Sequence, residues 1–285
     1  MTGIPHIKTG AALRQTSRDW RAQGKRVGLV PTMGALHEGH ISLVETALAE
    51  CDAVIATIFV NPKQFSPGED LDAYPRTLDA DKAMLTDAGC TALFAPVVSE
   101  IYPDGFATSI TVAGISEGLC GATRPNFFTG IATVVAKLLI LAEADIAYFG
   151  EKDYQQLLLI KRLVTDLGLP VEVKGCPIVR EPDGLAMSSR NRYLSDSERQ
   201  MALTLGQTLK EVAVGLEAGA KAAQLISMGL ERLAAAGFKM DYLELRDAET
   251  LQPMTDLNRP ARLLAGGYLG KTRLIDNWPV NPPSS

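Results

Sequence analysis

The chain has 285 residues, 46% of them hydrophobic and 21% charged, the composition of a soluble globular protein with one large or two modest domains. A formal net charge of −5 gives no global basic field for nucleic acid, and no dense Lys/Arg run supplies a local one, so a small anionic substrate in a local positive pocket fits better. The four cysteines, Cys51, Cys90, Cys120 and Cys176, form no Cys-x-x-Cys pair and do not combine with His6, His37 or His40 at zinc-ligand spacing. Reduced, mostly buried thiols are therefore expected, and no protein-held metal.

Residues 1–6 lack the apolar core of a signal peptide. Ala11 to Gln23 has helical periodicity and stops at Gly24. Val27 to Val30 reads as a buried strand, Pro31 to His40 as a loop, and Ile41 to Ala49 as a helix. Ala53 to Val60 is a β-branched apolar run, too continuous for a half-exposed strand, and it suits a parallel sheet covered on both faces. A loop over Asn61 to Pro75, with Pro62, Pro67 and Gly68, follows that strand's carboxyl end; ligands of open α/β sheets bind at such ends. Leu78 to Ala88 reads as a helix, Thr91 to Ala95 as a strand, and Ser109 to Val112 as an isolated strand. A turn-rich stretch, Gly118 to Gly130, precedes an apolar helix from Ile131. That helix runs to Ala142, is interrupted by Lys137, and falls short of the ~20 apolar residues a membrane span needs; cytoplasm is the expected location.

Ile146 to Phe149 is a strand leading into Glu151-Lys-Asp and the helix Tyr154 to Asp166, and Val171 to Val179 is a further strand. The alternation of strands and helices predicts a doubly wound α/β domain over residues 1–182. Pro182-Asp-Gly184 marks the boundary to a smaller α+β domain, 183–285. Its expected elements are helices over Glu198 to Leu216 and Ala220 to Ala235, then strands over Met240 to Arg246, Ala261 to Tyr268 and Thr272 to Ile275. Asn281 to Ser285 reads as a frayed tail.

The stretch Pro31-Thr-Met-Gly-Ala-Leu-His-Glu-Gly-His40 organises the chain. Gly34 and Gly39 allow close backbone approach. His37 and His40, three apart, both point from the first turn if the helix starts near Leu36. A helix N-terminus offers N–H groups and partial positive charge to phosphate, and two imidazoles there could add donors. A turn in which the histidines merely cap and pack is the alternative.

His-Glu-Gly-His resembles the His-x-Gly-His signature of the nucleotidylyltransferase superfamily, and the whole ten-residue stretch resembles the pantoate–β-alanine ligases. So do Ile58-Phe-Val-Asn-Pro-Lys-Gln-Phe65, Gly150-Glu-Lys-Asp-Tyr-Gln-Gln156 and Met187-Ser-Ser-Arg-Asn-Arg-Tyr193, in the same order. The resemblance implies a Rossmann-like domain followed by a lid, a homodimer, and ATP-dependent condensation of D-pantoate with β-alanine through an acyl adenylate, with ATP as substrate and Mg²⁺ riding on it. It implies catalytic roles for His37, His40, Lys152, Ser188, Ser189 and Arg190. The nucleotide would lie against Met33, Gly34, Ala35, Leu36, Glu38 and Gly39, and also Gly150, Glu151, Asp153, Val179 and Met187. Gln64, Gln156, Asn61 and Arg124 would serve the other substrate, and Asp81 is a candidate outer contact of the magnesium. One position departs from the family's Arg-x-x-His-Phe-x-Gly-Val pattern: Phe127 stands where the histidine is expected, so acid–base chemistry is not assigned there. Two other classes stay open at this point, an enzyme that stops after transferring AMP to a phosphate-bearing substrate and a nucleotide sensor without turnover.

Overall fold

A computed structural model describes residues 3–65, 69 and 71–282. The expected loop residues Pro67 and Gly68 and the last three residues of the expected tail lie outside the described residues. The elements, in chain order, are β1 (His6–Ile7), α1 (Gly10–Ala22), β2 (Val27–Thr32), α2 (Glu38–Leu48), β3 (Ala53–Ile58), α3 (Leu78–Asp87), β4 (Ala92–Phe94) and α4 (Val98–Ile101). There follow α5 (Leu119–Thr123), α6 (Phe127–Ala142), β5 (Ile146–Gly150), α7 (Tyr154–Leu167), β6 (Glu172–Cys176), α8 (Asp196–Glu217), α9 (Ala222–Ala235), β7 (Phe238–Asp247), β8 (Ala261–Leu269) and β9 (Thr272–Val280).

The chain divides into two compact units. The first, 1–116 with 124–151 and 159–177, carries a six-stranded parallel sheet in the order β1-β4-β3-β2-β5-β6. This is the expected Rossmann-like sheet. Its central strands are mostly apolar: Val27, Leu29, Val30, Val54, Ile55 and Ala56 are buried, as a sheet covered on both faces requires. The chain order reverses between β2 and β5, so the carboxyl ends of these neighbours form the switch point where doubly wound sheets bind ligands. The four cysteines are free and buried, and Cys51, Cys90 and Cys176 belong to one apolar cluster with Val30, Leu43 and Tyr148.

The second unit comprises 117–123, 152–158 and 178–285. An antiparallel sheet β7-β8-β9 packs helices α8 and α9 over Leu205, Leu209, Leu233, Leu243 and Leu263. Two short pieces from within the first 182 residues thus join this unit. Gln155 holds one to the other: its Oε1 accepts the Cys120 N–H at 3.2 Å and its Nε2 donates to the Gly118 carbonyl at 3.3 Å.

Three local expectations need correction. Ser109 to Val112 is not a strand, because it bonds to a helix instead of a sheet: the Ile110 N–H donates to Thr133 Oγ1 at 3.0 Å and the Thr111 hydroxyl lies 3.1 Å from that of Thr129. Helix α2 begins at Glu38, with His37 as its extended N-cap (φ −146°), so His40 alone of the two histidines sits inside the helix. The third concerns β9, which runs to Val280 rather than ending at Ile275. No helix among the described residues is long and apolar enough to cross a membrane.

Candidate functional site

In the first unit, β2 ends in a sharp reversal, with Gly34 (φ +82°) and Ala35 (φ +51°) both in the left-handed region. For alanine that conformation is costly, and the neighbourhood holds it. Asp81, 2% exposed near the start of α3, accepts the Ala35 N–H through Oδ2 at 3.1 Å and the Leu36 N–H through Oδ1 at 2.9 Å, and the Thr77 hydroxyl donates to Oδ1 at 3.1 Å. These bonds give Asp81 the task of bracing the loop. They also take up the N–H groups of Ala35 and Leu36, so any anion at this turn meets the first-turn amides of Glu38 and Gly39, which have no intrahelical acceptor.

The His37 N–H donates to Nδ1 of His40 at 3.3 Å, and the two rings lie with centroids 4.0 Å apart. An Nδ1 that accepts places the proton of the neutral imidazole on Nε2. His40 is therefore set as a hydrogen-bond donor through Nε2. Gly150, the last residue of β5, ends beside β2; Met33 is half-buried on the same turn.

The 3₁₀ turn Pro62–Gln64 follows β3. Asn61 is 1% exposed and its amide is engaged within the protein: Nδ2 donates to the Gly130 carbonyl at 3.1 Å and to Gln64 Oε1 at 3.5 Å, while Oδ1 accepts the Lys63 N–H at 3.2 Å and the Tyr102 hydroxyl at 2.8 Å. Burial raises the Tyr102 pKa to about 12, which keeps that hydroxyl a donor. Asn61 thus braces Gln64 through the Gln64 oxygen and leaves the NH₂ end as the part that can turn to a ligand. Arg124, 9% exposed, forks onto Glu69 at 2.7 and 2.6 Å, donates to the Gln64 carbonyl at 3.4 Å, and lies 3.4 Å from the centroid of the Phe127 ring.

The second unit holds most of the remaining expected residues. Lys152 lies in the 3₁₀ turn Glu151–Asp153, its Nζ 3.4 Å from Asp153 Oδ2. Glu151 itself belongs to the first unit. Gln156 is half-buried one residue beyond the buried Gln155. The Met187 N–H donates to the Val179 carbonyl at 3.0 Å, which joins the two segments leading to Ser188. Ser188 caps a further 3₁₀ turn, Ser189–Tyr193, its hydroxyl accepting the Arg190 N–H at 3.3 Å. Asn191 anchors that turn by donating from Nδ2 to Glu181 at 2.6 Å and to the Ala186 carbonyl at 3.1 Å. Ser188, Ser189 and Arg190 are all half-buried. Among the described residues no group of three or more His, Cys, Asp or Glu could hold a metal ion.

Residues 5–279 match the family model of the pantoate-beta-alanine ligases. The chain belongs to the pantoate–β-alanine ligase family. It is 53% identical to the pantothenate synthetase of Paramagnetospirillum magneticum over 282 residues, 99% of each chain. To that of Rhodospirillum rubrum it is 54% identical over 279 residues, covering 97% of this chain and 99% of the relative. Among solved structures, a pantothenate synthetase of Thermus thermophilus superposes with a TM-score of 0.92 at 47% identity, covering 98% and 100% of the two chains. The pantoate–β-alanine ligase of Francisella tularensis, whose crystals held β-γ ATP and β-alanine, superposes with a TM-score of 0.81 at 35% identity over 96% and 97%.

Phe127 stands where the resemblance led to the expectation of a histidine, and its ring forms a face for the Arg124 guanidinium. Phe127→His should leave the turnover number within about twofold and weaken the stack by ~0.5–1 kcal/mol. Steady-state kinetics together with thermal unfolding would read both. A tenfold gain in turnover would mean that an imidazole is needed at this position.

Proposed function

We propose that this ligase joins D-pantoate to β-alanine in two steps at the expense of ATP. The pantoate carboxylate attacks the α-phosphorus, forming pantoyl adenylate and expelling pyrophosphate. The β-alanine amine then attacks the activated carbonyl, AMP leaves with the oxygen that had bridged to phosphorus, and the amine gives up a proton. A free carboxylate is a poor acyl donor because its oxygen is a poor leaving group; adenylation replaces it with a good one.

The chain's own residues act in this scheme by positioning and by electrostatics. His40 donates through Nε2 to a phosphate oxygen, and the amides of Glu38 and Gly39 and the His37 ring add dipoles of the same sense. Lys152 and Arg190 supply full positive charge, and the hydroxyls of Ser188 and Ser189 donate to the departing pyrophosphate. Gln64 presents its NH₂ end as a donor and Gln156 an amide that can both donate and accept, which suits the hydroxyl groups of pantoate. Met33, Val179 and Met187 offer apolar surface to an adenine ring. Mg²⁺ enters as part of the ATP substrate, held mainly by phosphate oxygens and water. The homodimer that the resemblance implies and the cytoplasmic location expected from the sequence belong to the same proposal.

The observation that carries this reading is the pair His37 and His40 at the start of α2, beside the carboxyl ends of β2 and β5. The intermediate supplies the test. With β-alanine left out, labelled pyrophosphate should exchange into ATP in the presence of Mg²⁺ and pantoate. After full turnover, oxygen-18 from the pantoate carboxylate should appear in AMP. Formation of ADP and phosphate in place of AMP would point to an acyl phosphate and defeat the adenylate scheme.

A further inference from the structure

Strand β8 is apolar through Leu263, Leu264 and Ala265, yet it begins with a buried arginine: Arg262 is 7% exposed. Its neighbour β9 carries Asn277, 2% exposed, in register with Leu264. Arg262 and Leu264 are two residues apart and share a face of the sheet, so the arginine and the asparagine stand diagonally across the pair of strands. Burying a guanidinium and an amide costs several kcal/mol unless their groups are used. Here they are used in a directed way. The Arg262 Nε donates to Asn277 Oδ1 at 2.6 Å, and Asn277 Nδ2 donates to the main-chain carbonyl of Lys152 at 2.9 Å. The Arg262 guanidinium lies 4.2 Å from the centre of the Tyr154 ring, and the Tyr154 hydroxyl donates to the Ala248 carbonyl at 2.8 Å.

The chain of contacts therefore ends on the backbone of a lysine at the turn that opens α7. Asn277 cannot rotate its amide without losing both partners, because Oδ1 is fixed by Arg262. A donor held in one orientation fixes the Lys152 carbonyl, and with it the direction in which the Lys152 side chain leaves the turn. Asp276 accepts the Asn277 N–H at 2.7 Å and is itself forked by Arg180 at 2.7 and 3.0 Å, so the strand beneath the asparagine is also held.

We propose that Arg262 and Asn277 are positioning residues for Lys152: a buried Arg–Asn relay on the small sheet that aims the lysine ammonium at the phosphates of ATP. The proposal rests on the phosphate-binding role given to Lys152 above. It assigns a task in the ligase reaction to two residues of the C-terminal sheet that act through the lysine and not on the substrates directly.

Asn277→Asp separates the two ends of the relay. The carboxylate keeps an oxygen for Arg262 but turns a second oxygen, in place of the NH₂, toward the Lys152 carbonyl. Calorimetric titration with MgATP should show the dissociation constant rising about tenfold, equivalent to ~1.4 kcal/mol, with the affinity for pantoate unchanged. In a Lys152→Met background the same substitution should cost no further ATP affinity, because the ammonium it misdirects is already gone. An equal loss in both backgrounds would make Asn277 a general structural residue and overturn the proposal. So would native ATP affinity in Asn277→Asp alongside weakened affinity in Lys152→Met, an outcome that leaves the role of Lys152 standing. Native ATP affinity in Lys152→Met would overturn both. If Asn277→Asp does not fold, Arg262→Lys carries the same double-background test, since it keeps the charge but not the Nε donor that orients Asn277.

Discussion

Replacing His40 by alanine should slow adenylate formation by ~10²–10³, the usual cost of one lost donor aimed at developing charge, and should leave pantoate binding close to native. The reason is local. His40 is the third residue of α2, and its Nδ1 is committed to the His37 N–H, so Nε2 carries the proton on a ring whose orientation needs no adjustment as the reaction proceeds. Charge accumulates on the phosphates in the transition state, and a donor that strengthens only there changes the turnover number more than the Michaelis constant. The alanine variant also loses the acceptor for the His37 N–H. His40→Asn separates these effects, since its side-chain oxygen can still accept from the N-cap backbone. Pyrophosphate exchange measured on both variants decides the matter. A native exchange rate in the alanine variant would reduce His40 to a helix cap.

Gly130→Ala should be the most damaging single methyl group in the first unit. A Cβ built there would stand 2.1 Å from the Lys63 carbonyl oxygen and 2.6 Å from its carbon, both backbone atoms with no rotamer to move. Overpacking against a fixed backbone costs ~1–3 kcal/mol and sometimes more, against which the better helix propensity of alanine returns only about 1 kcal/mol. The net loss of up to about 2 kcal/mol corresponds to a fall of roughly 4–8 °C in the unfolding temperature, taking about 2–4 °C per kcal/mol for a protein of this size. The displaced backbone is the turn that carries Gln64, and the Gly130 carbonyl is the acceptor for Asn61. The Michaelis constant for pantoate should therefore rise as well, while that for ATP stays near native. Calorimetry and substrate titrations test the two halves separately, and an unchanged unfolding temperature would show that α6 can shift away at no cost.

Much of this architecture is legible from residue order. The apolar run Val27 to Val30 and the β-branched apolar run Ala53 to Val60 specify strands buried in a parallel sheet, and the glycine-flanked His-Glu-Gly-His stretch follows the first of them directly. Polar structure inside elements is what residue order hides. Asp276 and Asn277 read as the end of a strand, because aspartate and asparagine favour turns. In the structure they are paired with Arg180 and Arg262, and β9 continues to Val280. The sequence expectation therefore stops just short of the residues that hold Lys152. Apolar periodicity places the start of α8 two residues late, because that period begins after the cap. The Ser195–Glu198 pair, whose side chains reciprocally bind backbone N–H groups at 3.3 and 2.9 Å, marks the true start. The two-residue strand β1 leaves no periodic signal at all. Asp81 stands out in the sequence only for its charge, and three-dimensional proximity alone shows that its carboxylate faces the loop 45 residues earlier.

That aspartate also bears on when the entropy of the loop proposed to meet the nucleotide is lost. A glycine and the residue after it sample many backbone states in an untethered chain, and freezing them costs about 1–2 kcal/mol each. Because Asp81 fixes Ala35 and Leu36 from within the protein, that cost falls on folding and not on the arrival of substrate. Ligand affinity is then not discounted by loop ordering, and the turn stands preorganised whether or not a nucleotide is present. Stability carries the cost so that recognition does not have to, and the burden falls on a carboxylate bound to the loop's own backbone.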